Sequence, residues 1–200
     1  MASIILFFAG MICYGYFLNL REVSLHQVLS EKGISNPQNI SLVIERKKFR
    51  IDLYVNDMQI KSYRAVFGRS INRVKLSADD YVTPNGEYTI CSIDTNSVYR
   101  KTFQLNYPNI DDAAEALRNK IITEKEFRTI KSAIANSGCS IADTKLGSNI
   151  GIHGMGKYDL IFKNLPFIYN WTNGSAAVSN EAIDELYSVI KVGTKVTIRY

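Results

Sequence analysis

The sequence predicts a mainly β domain, a sandwich or partly closed barrel with a few short helices, behind an uncharged N-terminal helix. Three observations carry this. From Ile40 onward, short runs rich in β-branched and aromatic residues alternate with turn signatures. Helical caps and helical spacing occur only in brief stretches between those runs. The segment 1–18 carries no charged side chain, and the first charge is Arg21.

The N-terminal segment includes Ile4-Ile5-Leu6-Phe7-Phe8 and Met11-Ile12. A helix extended through Leu20 would just reach across a bilayer core of about 30 Å. Residues 1–20 therefore read as a signal anchor or uncleaved signal peptide that joins the chain to a membrane. A buried N-terminal helix is the alternative, because Gly10, Tyr14, Gly15 and Tyr16 dilute the apolar run and no basic residue precedes it. Residues 21–38 read as a polar stalk, with a short helix around Val23, Leu25, Val28 and Leu29, ended by Gly33 and followed by Pro37. His26 is expected to be solvated there.

The domain is expected over 39–200. Ser41-Leu42-Val43-Ile44 and the alternating run 49–55 read as strands, Asn56-Asp57 as a turn and 58–67 as the returning strand. The polar stretch 68–80 reads as a loop. In Thr83-Pro84-Asn85-Gly86, proline fixes φ and glycine accepts positive φ, so a turn leads into a strand over 87–93 and another over 98–105. Residues 111–120 read as a helix with acids in its first turn and Leu117 as its apolar anchor. A second helix, 123–136, opens on the capping box Thr123-x-x-Glu126, puts Phe127, Ile130 and Ile134 on one face, and stops at Gly138. A short strand is expected over 149–153. A last helix, about 180–190, is capped by Ser179 and turns Ile183, Leu186 and Ile190 inward, and 194–200 closes the chain as a strand.

Composition narrows the function. The 46% hydrophobic content supports a real core, and a net charge of +5 suits work near anionic polymers without requiring it. There is no basic stripe with interleaved aromatics, so nucleic acid is not an expected partner, and Arg46-Lys47-Lys48 reads as a solvated strand end. With two histidines and no C-x-x-C spacing, a zinc or other metal site is not expected. Whether Cys91 and Cys139 pair as a disulfide is left open by their spacing, as is the oligomeric state.

His153, the sole histidine of the domain, ends a predicted strand between Ile152 and Gly154. An imidazole at a sheet rim is the natural base for a thiol or hydroxyl. Gly174-Ser175 follows a Trp171-Thr172-Asn173 turn shortly before a helix. A nucleophile after glycine lets a carbonyl approach the backbone, where N–H groups of Gly174, Ala176 and neighbours can form an oxyanion hole. Taken singly, each piece has a plain structural reading: a satisfied core histidine and a polar turn.

Together, in order, these pieces resemble the L,D-transpeptidase catalytic domain family, also called YkuD-like. The family pattern is His-Gly, a gap, Thr or Ser, one residue, then Gly-Cys before Ser/Thr-Asn and a helix. Here it stands as Ile152-His153-Gly154 and Trp171-Thr172-Asn173-Gly174-Ser175-Ala176-Ala177-Val178-Ser179-Asn180. Thr83-Pro84-Asn85-Gly86-Glu87-Tyr88 is similar to the family's Thr-Pro-x-Gly-x-Tyr/Phe turn, and Tyr107-Pro108-Asn109 to a segment of one branch.

The resemblance implies a cofactor-free enzyme of the bacterial cell envelope whose partners are peptidoglycan stem peptides. A cysteine thiolate, with histidine as base, attacks the carbonyl of the third residue of a stem tetrapeptide; D-Ala leaves, and an amine or water takes the acyl group. By position His153 is the base and Ser175 stands where the nucleophile belongs, while Gly154, Trp171, Thr172, Asn173, Tyr88 and Lys75 are candidate substrate contacts. Serine at that place is the main departure. A thiol ionises near pH 8.5, whereas a hydroxyl needs a well-oriented base. Asp159 is the only acid singled out as an orienter for His153, and Ala177 and Asn173 replace a frequent arginine and a second histidine. Ser175 can be a substitution made by hand, the mark of a degenerate homologue that binds stems without turnover, or a working serine nucleophile. Acyl transfer, strongly impaired in this form, is the leading expectation; a dead stem-binding homologue, or an L,D-carboxypeptidase or endopeptidase acting on the same bonds, is the alternative. Cys139 matches no family position and is not expected to be the nucleophile.

Overall fold

The computed structural model describes residues 2–19, 22–70, 74–140, 143–164 and 169–200. Eight strands close into a barrel, which decides between the two β architectures. The hairpin β1 (Ile40–Glu45) and β2 (Arg50–Val55) pairs Ile40 with Val55 through Glu45 with Arg50. Asn56 and Asp57 both take positive φ, the two-residue turn that matches strand twist, and lead into β3 (Met58–Val66). β4 (Gly86–Ser97) and β5 (Arg100–Leu105) form a second hairpin. Two three-residue strands, β6 (Gly151–His153) and β7 (Ala176–Val178), fill the gap between β5 and β3. β8 (Lys195–Arg199) runs parallel to β1 and antiparallel to β4 and completes the closure.

Alternation along these strands sends one set of side chains inward. Leu42, Ile44, Ile51, Leu53, Ile90, Phe103, Ile152, Val178, Val196 and Ile198 form the barrel core. The strand expected over 87–93 extends to Ser97, because pairing with β5, not burial, holds its polar end. β7 was not expected as a strand: three residues give no readable period, and only insertion between β3 and β6 makes them one.

Helix α1 (Ala2–Asn19) forms where an N-terminal helix was expected; Met1 and Leu20 lie outside the described residues. At 1.5 Å per residue it reaches about 27 Å, short of a bilayer core of about 30 Å. Among the described residues no helix is long and apolar enough to cross a membrane, so the expected anchor is not confirmed. Part of the expected stalk is built into the domain. Helix α2 (Leu25–Glu31), capped by Ser24, buries Leu25 and Leu29 in the barrel core. Glu185 ties it down, accepting the Leu25 N–H at 3.0 Å and the Lys61 ammonium at 2.6 Å.

Helices α3 (Ile110–Arg118) and α4 (Glu124–Ser137) make a separate small core with Ile130 at its centre and Leu117, Phe127 and Ile134 against it. The Thr123–Glu126 capping box and the left-handed Gly138 cap are both formed. A disulfide between Cys91 on β4 and Cys139 joins this pair to the barrel. Helix α5 (Asp159–Asn164) follows β6, and helix α6 (Asn180–Tyr187), capped by Ser179, turns Ile183 and Leu186 onto the barrel.

The disulfide closes a loop with a sequence separation of 48 residues. Cys139→Ser is expected to lower unfolding stability by about 2–4 kcal/mol, the usual effect of opening such a loop. Urea denaturation of the two forms checks this, and reductant should remove the difference.

Candidate active site

The parallel pairing of β6 with β7 sets Ile152 opposite Ala176 and His153 opposite Ala177. One residue earlier this register puts Gly151 beside Ser175, and the Gly151 N–H donates to Ser175 Oγ at 3.1 Å. Side chains alternate across a sheet. Ile152, Ala176 and Val178 therefore enter the barrel core, while His153 and Ser175 share the opposite face as diagonal neighbours. Gly151 and Ala177, the other two members of that square, are both buried and carry little or no side chain.

His153 is buried, with 6% of its surface exposed. Its Nδ1 lies 2.7 Å from the Gly154 carbonyl oxygen. A carbonyl only accepts, so Nδ1 carries the proton and Nε2 keeps its lone pair, as a base requires. Burial lowers the ring's proton affinity below the ordinary histidine value, and the bond to Gly154 only partly offsets this. Asp159 has no part in the orientation: its carboxylate accepts the Asn180 N–H at 2.6 Å and faces Lys163 at 3.3 Å. Gly154 is required sterically, since a Cβ there would come within 2.5 Å of Tyr99 O and 2.8 Å of Asn180 Oδ1.

The turn before β7 is held from within. Thr172 Oγ1 donates to Ser175 O at 2.6 Å and accepts the Gly174 N–H at 3.2 Å. The Thr172 backbone is itself fixed to the end of β3, its N–H donating to Phe67 O at 3.1 Å. Gly174 has φ of 128°, and a Cβ would meet Ile150 Cδ1 at 2.8 Å and Val82 O at 2.9 Å. Because its N–H is engaged by Thr172, the contribution of Gly174 is the conformation that presents Ser175, not an oxyanion donor. Among the described residues no hydrogen bond joins Ser175 to His153; the hydroxyl is held by Gly151 instead.

A cavity of about 470 Å³ opens over this pair. It gathers five predicted residues, His153, Trp171, Thr172, Asn173 and Ser175, with Gly154, Gly174 and Ala176 buried in the surrounding backbone. It does not gather Tyr88 or Lys75. Tyr88 is a core residue whose hydroxyl donates to Asn85 O at 3.1 Å and to Asp112 at 3.2 Å; burial pushes that Asp112 carboxyl up to about 6. Lys75 lines a different cavity, paired with Asp80 at 2.7 Å. Both fall outside because their neighbours in sequence belong to the α3 side of the barrel. Tyr99, Asp94, Gln104 and Asn149 also line the active cavity and were not foreseen. Their signal is register: Thr102 pairs with His153, which brings the β4–β5 hairpin over the imidazole. Among the described residues no group of three or more His, Cys, Asp or Glu side chains is arranged to hold a metal ion.

The closed barrel thus sets His153, at the end of β6, beside Ser175, the residue just before β7. Residues 39–198 match the family model of the L,D-transpeptidase catalytic domain, YkuD, and the chain belongs to that family. Among solved structures it is similar to the helical cell shape determining protein Pgp2 of Campylobacter jejuni, at 17% identity and TM-score 0.51, covering 88% of this chain and 54% of that one. It is also similar to Bd1075 of Bdellovibrio bacteriovorus, at 18% identity and TM-score 0.50, covering 82% and 48%. The chain thus spans about half the length of these structures. No curated protein matches it.

Two outcomes test this geometry. Gly174→Ala should lower stability by at least about 2 kcal/mol, since strain and overlap coincide there, and urea denaturation reads it. On acidification the unfolded chain protonates its histidine near pH 6.5 before the buried His153 does. That contribution to stability is therefore complete above about pH 6.5 and is lost as pH falls to the lower folded midpoint. His153→Gln should flatten that part of the stability–pH curve.

Proposed function

We propose that this chain is a peptidoglycan L,D-transpeptidase-type domain that takes stem tetrapeptides into the His153–Ser175 cavity. Its acyl-transfer step is strongly impaired by serine at the nucleophile position. The observation that carries the reading is the fixed tautomer of His153: Nδ1–H is committed to Gly154 O, leaving Nε2 as the base beside residue 175. The expected reaction is attack of residue 175 on the carbonyl of the third stem residue, with the proton passing to Nε2. Collapse of the tetrahedral intermediate breaks the bond to D-Ala, whose amine takes the proton back. The acyl group then passes to an amine or to water.

Serine disfavours the first step for two reasons. A hydroxyl is far less acidic than a thiol. The Ser175 oxygen is also held by the Gly151 N–H, and the base is oriented by a carbonyl instead of a carboxylate that would stabilise an imidazolium. This form is therefore best suited to binding stems with little or no turnover, which is the second reading. The Cys91–Cys139 disulfide supports an oxidising compartment and hence the cell envelope.

The test incubates the full chain and its Ser175→Cys variant with purified disaccharide-tetrapeptide, following D-Ala release and protein mass. The cysteine form should release D-Ala at least about 100-fold faster and carry an acyl adduct. Equal turnover by the serine form would overturn the impairment, and absence of both reaction and stem binding would overturn the site.

A further inference from the structure

The tip of the β4–β5 hairpin is fixed over the active histidine. The Tyr99 ring lies on the His153 ring, with centroids 4.4 Å apart and planes 35° from parallel. Trp171 meets the same imidazole edge-on at 6.0 Å. Among the described residues no hydrogen bond engages Nε2, while Nδ1 is held by Gly154 O.

Three features hold Tyr99 in this place. Arg100, directly after it, takes φ of 77°, which is uncommon for a residue other than glycine. Its guanidinium binds the Asp184 carboxylate through Nε and Nη2, each at 2.8 Å, and Lys101 binds the same carboxylate. The hairpin also rests on the loop after His153: the Gly154 N–H donates to Lys101 O at 3.2 Å, and a Cβ on Gly156 would strike Val98 O. That loop is gripped in turn by Asn180, whose amide donates to Gly156 O and accepts the Gly156 N–H, both at 2.9 Å. Asn180 and Asp184 stand four residues apart on α6, on one helix face. One face of α6 thus holds both the loop that carries the histidine's acceptor and the hairpin that carries its cover.

We propose that Tyr99 is a positioning residue of this site, its ring fixing the His153 imidazole in plane and shielding it from water, with the Asp184–Arg100–Lys101 cluster as the clamp that holds the ring in place. The inference rests on His153 being the base of the proposed function, but its consequences are visible without any reaction. The titratable groups that share the cavity with the imidazole are Tyr99 and Asp94. Beyond them lie Arg100, Lys101 and Asp184 at the hairpin and α6, and Asp159, bound to Asn180 and Lys163.

The experiment follows the His153 ring of the full chain by NMR across the acid range in the Ser175 form. In the parent protein the His153 ring protons should carry an upfield ring-current shift and titrate below the ordinary histidine range. Tyr99→Leu should remove that upfield shift and raise the His153 midpoint toward the ordinary range, because the charged ring becomes better solvated. Tyr99→Phe, which keeps the ring, should retain both parent values. Asp184→Asn should move both readouts in the same direction as Tyr99→Leu while leaving Tyr99 in the chain, so the conclusion does not depend on a single variant folding. The proposal is overturned if Tyr99→Leu, folded by its melting curve, leaves the His153 shifts and midpoint at the parent values. It is equally overturned if Tyr99→Phe changes them as far as leucine does. Neither result bears on whether the Ser175→Cys form releases D-Ala, so the two ideas fail separately.

Discussion

The parallel pairing of two three-residue strands governs everything else at this site. β6 and β7 are too short to be stable alone, and each persists because β5 and β3 flank it inside a closed barrel. Closure leaves no strand edge free to slip. A slip of one residue would exchange the faces of both strands. His153 and Ser175 would then enter the core, and Ile152 and Ala176 would take their places at the cavity. Burial of Ile152, Ala176 and Val178 thus fixes the orientation of His153 and Ser175, the two polar residues of the candidate site.

Around that register the backbone does work often given to side chains. A carbonyl, Gly154 O, orients the imidazole, and a threonine hydroxyl, Thr172 Oγ1, shapes the turn that presents residue 175. An uncharged orienting group suits a cysteine–histidine pair, in which the thiol supplies much of the acidity. It suits serine poorly, because a developing imidazolium in a buried pocket then has no counter-charge. On the proposed function, this orientation by a carbonyl fits a sulfur nucleophile better than the oxygen of Ser175.

Much of this was legible in the chain. Thr123 and Glu126, Gly138, Ser179 and the Asn56-Asp57 turn announced their roles, because caps and tight turns depend on residues close in sequence. The ordered motif from His153 to Asn180 marked the family for the same reason. Tyr99 was hidden, since a tyrosine at a hairpin tip has no distinguishing spacing; its value comes from the pairing of Thr102 with His153. Tyr88 and Lys75 misled in the opposite way. They lie next to a family-like turn in sequence, but the barrel carries that turn to the α3 side, where Tyr88 meets Asp112 and Lys75 meets Asp80.

The sequence by itself determined the mainly β character, the helix caps and the family motif that holds His153 and Ser175, all properties of local spacing and residue chemistry. Tertiary structure alone decided that the sheet closes, that Cys91 meets Cys139, that residues 25–31 pack on the barrel, and which aromatic ring covers the base. Those outcomes join groups tens of residues apart. They depend on register and burial summed over the whole barrel, which no local window of sequence contains.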